Sequence, residues 1–207
     1  MKQSPPTGFS RYRISRAILL FLFLLHFSAL PCSSLEEESW LTMLSLYREY
    51  IAHNSNELRQ QEKNFVESGM ARYRAGLLRL ERERGQIMFW FGTNSSVWDN
   101  RDALNALDAL KQETGRLQTP FKQQLHWIQS QTTESKSLTG ELERLRTTVT
   151  SPAEQAQLAE EIARNNQLQQ ALERFQSSLK RELESGDYLS TKIDNEFNIF
   201  SLKTGDT

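Results

Sequence analysis

Apolar positions recur at a spacing near seven along most of the chain. In the first long stretch they fall at Leu44, Tyr47, Ile51, Leu58 and Phe65, then slip by one residue to Val66, Tyr73, Leu80 and Ile87. No proline interrupts residues 36–91, so the pattern predicts one helix there. At 1.5 Å per residue it would extend roughly 80 Å. A helix of that length draws its stability from a partner helix along its side. Gly69, Gly76 and Gly85 weaken it, by about 1 kcal/mol each relative to Ala, or permit close helix approach.

The stretch FGTNSSVWDN breaks the pattern. Gly92 suits a helix end. Thr93, Asn94, Ser95 and Ser96 favour a turn, and Asp99 or Asn100 suits the start of the next helix. A second helix, about 100–149, has the cleanest repeat. One line reads Leu107, Thr114, Phe121, Ile128, Ser135, Leu142, Val149; its companion reads Ala103, Leu110, Leu117, Gln124, Gln131, Leu138, Leu145. The structural seam is assigned to Leu107, Leu110, Leu117, Phe121, Ile128, Leu138, Leu142 and Leu145. A period of 3.5 implies supercoiling against a partner. Pro120 lies inside this helix, but the seam keeps its register across it, which favours a kink over a restart.

Ser151, Pro152 and Glu154 form a helix-start signal: a capping Ser, Pro at the first helical position, and Glu three residues after the Ser. The third helix, 152–184, carries Leu158, Ile162, Leu168, Leu172, Phe175, Leu179 and Leu183, with Asn165 interrupting the stripe. Asn165 either fixes register inside a seam or sits at an exposed edge. Ser185, Gly186 and Asp187 read as the helix end, and 186–207 as a short amphipathic segment. The fold class is therefore all-α: an elongated antiparallel helical hairpin or coiled coil over 35–185, with a third helix alongside.

Composition agrees with narrow seams. Hydrophobic residues are 38% of 207, poor material for a wide core. Residues 1–34 stand apart: Lys2, Arg11, Arg13 and Arg16 without an acid, then the apolar run Ala17–Leu30, then PCSS. These are the parts of a secretory signal peptide, which predicts an exported, periplasmic chain, with an uncleaved N-terminal anchor as the alternative. Without them the chain has 21 Lys and Arg against 26 Asp and Glu, a net charge of −5, and no cysteine, since Cys32 is the only one. An acidic exported chain is poorly suited to nucleic acid.

Catalytic signatures are missing. His53 and His126 lack a second metal ligand apart from Glu57, four residues after His53. No HExxH, phosphate-cradling glycine loop, GxSxG or nucleophilic cysteine is present. The sequence thus predicts no catalytic residue, cofactor, metal or small-molecule substrate. Glu36, Glu37 and Glu38 suit the positive end of a helix. Asn94-Ser95-Ser96 matches a glycosylation sequon, and Arg72–Gly85, with five arginines and two glutamates, reads as a solvated face or a contact for anionic groups. Phe89, Trp90 and Phe91 cannot share one face, since adjacent residues lie about 100° apart. One or two can seal the hairpin end against Trp98 and Leu104; the remaining aromatic surface of Phe89, Trp90, Phe91 and Trp98 is the candidate contact for a partner protein or a membrane interface.

LDALKQETGRLQTPFKQQL at 107–125 and SPAEQAQLAEEIARNNQLQQALERF at 151–175, behind a signal peptide, resemble the N-terminal periplasmic helical region of large mechanosensitive channels of the small-conductance type. The similarity covers residues 17 to about 185 and carries no catalytic or binding residue across. The chain lacks those channels' spanning helices and pore-lining segment, so the resemblance implies a fragment or free-standing relative. The expected function is an exported, non-catalytic coiled-coil scaffold or interaction module, acting through a protein partner or a homo-oligomer, with a membrane-associated complex as one setting for it. The alternatives are a sensor or accessory region related to those channels, and an adaptor regulating cell-wall enzymes.

Overall fold

The computed structural model describes residues 33–92 and 97–204. The expected signal peptide lies outside the described residues except for Ser33 and Ser34, and the turn 93–96 also lies outside them. Four α-helices are described: α1 (Ser33–Asn64), α2 (Met70–Gly92), α3 (Val97–Thr148) and α4 (Pro152–Thr204), with a π-helical turn, Phe65–Gly69, between α1 and α2. No strand occurs among the described residues. The chain divides into two compact units, Met1–Ser45 and Leu46–Thr207. In the first, the Ser45 hydroxyl donates to the Thr42 carbonyl at 2.8 Å. All packing below belongs to the second.

That second unit is an antiparallel bundle of three helical arms. Cross-helix pairs fix the directions. Tyr50 reaches Glu134 and Arg79 reaches Glu113, so the first arm runs against α3. Arg48, Arg74 and Arg84 reach Glu161, Glu182 and Glu196 in the same order, so it runs parallel to α4. Leu58, Tyr73, Leu80, Leu107, Phe121, Ile128, Leu172, Phe175 and Ile193 belong to one buried core. Phe65 meets Phe121 and Phe175 edge-on, with ring centroids 5.1 and 6.1 Å apart.

The slip in the first heptad has a structural counterpart. Buried positions run Tyr47, Ile51, Asn54, Leu58 before the π turn and Met70, Tyr73, Leu77, Leu80 after it. Continuing the first set by steps of three and four leads to 72 rather than 73. A π turn accommodates one extra residue, and this one returns the apolar stripe to the core. Val66, assigned to the seam from its spacing, is instead exposed, because the turn rotates it outward.

In α3, Leu107, Leu110, Phe121, Ile128, Leu138 and Leu142 are buried, while Leu117 and Leu145 are half-buried. Gln118 is buried beside Leu117. The helix passes through Pro120 without restarting. Pro120 is exposed, so the Arg116 carbonyl that it leaves unbonded belongs to an exposed residue of the same face. Thr119 does not cap a new helix; its hydroxyl bonds back to the Gly115 carbonyl at 2.9 Å.

The expected helix end at Gly186 is not observed: α4 continues to Thr204. Leu158, Asn165, Leu172, Leu179, Gly186, Ile193 and Phe200 are all buried and seven residues apart. Gly186 is thus a seam position, and burial along the helix outweighs its weak helix propensity of about 1 kcal/mol relative to Ala. A β-carbon there would lie 2.7 Å from Gln118 Nε2 and in collision with the Tyr73 hydroxyl. The separate C-terminal segment is therefore the last third of α4, and its apolar residues extend the core.

Pro152 opens α4 with Glu154 in its first turn, but the reciprocal side-chain bonds expected of Ser151 and Glu154 are not formed. Gln155 instead holds this turn through the turn's own carbonyls. Its backbone N–H donates to the Ser151 carbonyl at 3.0 Å and its side-chain amide to the Val149 carbonyl at 2.7 Å, closing the turn at 149–151.

Candidate interaction surface

The aromatic run at the end of α2 divides as helix geometry requires. Phe91 is half-buried and packs on the core with Ile87, Met88 and Leu104. Phe89 and Trp90 project outward, 69% and 64% exposed, and meet edge-on at 5.7 Å. Sealing the end of the bundle thus occupies one aromatic of the three. The Trp98 side chain lies outside the described residues. A shallow open groove beside this pair is lined by Ile87, Trp90, Phe91, Ala106, Leu110 and Glu113. Its lining is mostly apolar, with Glu83, Gln86 and Glu113 among it.

Between α3 and α4 the polar seam groups around Asn165 are paired, whereas the buried Gln124 amide nitrogen has no hydrogen-bond partner among the described residues. Asn165, fully buried, donates from Nδ2 to the Ser135 carbonyl at 2.7 Å and to the Thr139 hydroxyl at 2.9 Å. The Ser135 hydroxyl donates to Asn165 Oδ1 at 2.8 Å. Gln169 adds a bond to Thr139 at 2.9 Å. Of the two roles open to Asn165, the structure selects the register pin: a shift of either helix would strand these groups in an apolar seam. Thr114, also buried, satisfies its hydroxyl on the Leu110 carbonyl at 2.8 Å.

Three glutamates were not singled out from sequence: Glu161, Glu182 and Glu196. They share the α4 seam with Leu168, Phe175 and Leu189, all multiples of seven apart, and that spacing was the available signal. Glu161 is fully buried; its Oε1 accepts from Arg48 Nε at 2.7 Å and Arg164 Nη1 at 3.0 Å. Glu182 pairs through both oxygens with Arg74, which holds its carboxyl below the usual range. Glu196 is pushed the other way, because burial outweighs the nearby Arg84. Arg84 also grips Glu81 at 2.9 and 3.0 Å, and Lys192 reaches Glu81 at 3.1 Å, so Glu81 is held low, chiefly by Arg84. Arg74, Arg79 and Arg84, from the basic stretch 72–85, therefore tie α2 to its neighbours; such pairs set alignment more than stability.

His53 lies 3.7 Å from Glu57 on the same helix turn, and His126 is exposed. Among the described residues, no three His, Cys, Asp or Glu side chains are grouped to hold a metal ion, and no helix is long and apolar enough to cross a membrane. No protein-family model, curated protein or solved structure matches this chain.

Proposed function

We propose that the chain is an exported, non-catalytic helical scaffold that docks a protein partner at the end of its bundle. The observation that carries this is the outward pair Phe89 and Trp90, 69% and 64% exposed while the neighbouring Phe91 packs inward. Large rigid aromatics supply contact area at low entropic cost. Three buried polar residues of the seams support the same reading, since Asn165, Ser135 and Glu182 are engaged in holding helices together. The test is photo-crosslinking from position 90 in intact cells, followed by mass spectrometry. A discrete captured protein, lost on Phe89→Ser with helicity unchanged, is expected. Capture of nothing, or capture indifferent to Phe89, rejects the docking role. Turnover of any substrate that a single polar substitution abolishes rejects the non-catalytic one.

A further inference from the structure

The outer face of α2 carries a second heptad line of exposed residues. Ala71, Ala75, Leu78, Arg82, Gly85 and Phe89 are all exposed, at steps of four and three. At about 100° per residue they fall within roughly 40° of one line, opposite the buried Tyr73, Leu77 and Leu80. Leu78 and Phe89 are each 69% exposed. Gly85 meets nothing within 4 Å, in contrast to Gly76, whose β-carbon would lie 2.8 Å from Leu117. Gly115 and Gly140 are similarly open, but only Gly85 sits within an exposed apolar line.

Charge identifies what fits this line. The acids of α2 are Glu81 and Glu83. Glu81 is engaged by Arg84 and Lys192, and Glu83 by Arg79. Arg74, Arg79 and Arg84 have carboxylate partners. Among the described residues, Arg72 and Arg82 have none: Arg72 spends its Nε on the Ser68 carbonyl, and Arg82 stands in the middle of the apolar line. The free charge of the face is therefore positive. A second copy of the chain would bring the same free cations against it, which disfavours self-pairing.

We infer that the α2 face from Ala71 to Phe89 is the seat of an acidic amphipathic helix, apolar on one side and flanked by carboxylates that pair with Arg72 and Arg82. Leu78 and Phe89 fill the gaps of the incoming helix, and Ala71, Ala75 and Gly85 let its backbone approach. This rests on the chain's being an interaction module and names the chemistry of its partner; the line ends at Phe89, beside the proposed docking pair.

The probe is a three-heptad helical peptide with Leu at both seam positions and Glu at the flanking ones, against the same peptide with Lys flanks. Binding to the full chain is read by fluorescence anisotropy at low and high salt. The Glu peptide should bind, the Lys peptide at least about tenfold more weakly, with the difference shrinking in salt. Arg82→Glu should invert the preference, and Gly85→Ala should weaken binding without loss of helicity. Circular dichroism of both variants should match the parent, since both positions face solvent. The inference is overturned by equal binding of the two peptides, by binding of neither, or by indifference to Arg82→Glu. Self-association abolished by Leu78→Glu would assign the face to a second copy and overturn it. Sedimentation with phosphatidylglycerol vesicles that requires Arg82, without peptide binding, would assign it to a membrane surface and overturn it too. If crosslinking from position 90 captures a protein while the peptide fails, this inference alone falls; if neither succeeds, the scaffold reading falls with it.

Discussion

Replacing Gly186 by Ala opposes two effects of known sign. Helix propensity alone favours Ala by about 1 kcal/mol in the middle of a helix. The packing opposes it. The new methyl would collide with the Tyr73 hydroxyl and lie 2.7 Å from Gln118 Nε2. Gln118 is a flexible side chain, but it is buried and held by Asp187 at 2.8 Å. Tyr73 is 2% exposed, with its ring 4.3 Å from that of Phe121, so it has no room to retreat. Overpacking of this kind costs about 1–3 kcal/mol, so Gly186→Ala should destabilise by roughly 1 kcal/mol net. Tyr73 supplies the control. Its hydroxyl is buried without a hydrogen bond of ordinary geometry, and burial, with the Asp187 and Glu182 charges, pushes its ionisation up to about 12 despite an opposing contribution from Gln118. Tyr73→Phe should thus stabilise by about 1 kcal/mol, and Gly186→Ala should become neutral or favourable in that background. Urea unfolding followed by circular dichroism measures the cycle, with unchanged slope confirming that stability alone has moved. Equal stabilisation by Gly186→Ala in both backgrounds would refute the close approach of the helices.

Asn165→Ala removes the acceptor of the buried Ser135 hydroxyl, while Thr139 keeps Gln169, and should cost about 1–3 kcal/mol in the same assay; loss below the detection limit would reject the register pin. Leu142→Asp places an unpaired charge at a fully buried position and should destabilise by at least about 3 kcal/mol, visible as a large drop in thermal midpoint. Glu182→Gln bears on pH. Because Arg74 lowers the folded ionisation of Glu182, its contribution is present above the unfolded value of about 4.3 and is lost as pH falls through the lower folded value. The variant should therefore be less stable than the parent at neutral pH and converge with it in acid; a constant difference across the range would contradict this.

Most of the fold was legible because the heptads were strong. Leu107, Leu110, Phe121, Ile128, Leu138 and Leu142 of the α3 line are buried, but Gln118 is buried where Leu117 was expected, and the slip at Phe65 marked the place where the π turn lies. What could not be read was set by partners distant in sequence. Gly186 looks like a helix end locally, and only the facing Tyr73 explains a glycine there. Glu161, Glu182 and Glu196 look like surface charge until Arg48, Arg74 and Arg84 are seen opposite them. Val66 looked apolar and in phase, but the π turn moved it outward. The aromatic run was visible as an anomaly, while the inward turn of Phe91 and the outward turn of Phe89 depended on the phase of α2.

The central claim is that one chain closes its own three helical arms in this register. Two lysine–carboxylate contacts test it without any substitution: Lys111 to Asp194 at 2.6 Å, joining α3 to α4, and Lys192 to Glu81 at 3.1 Å, joining α4 to α2. Zero-length carbodiimide coupling of an equimolar mixture of light and heavy-nitrogen chains, read by peptide mass spectrometry, reports both. The account predicts amide links at Lys111–Asp194 and Lys192–Glu81 with both halves always of one isotope. Links joining light to heavy peptides, or lysine pairings displaced by a heptad, would contradict it.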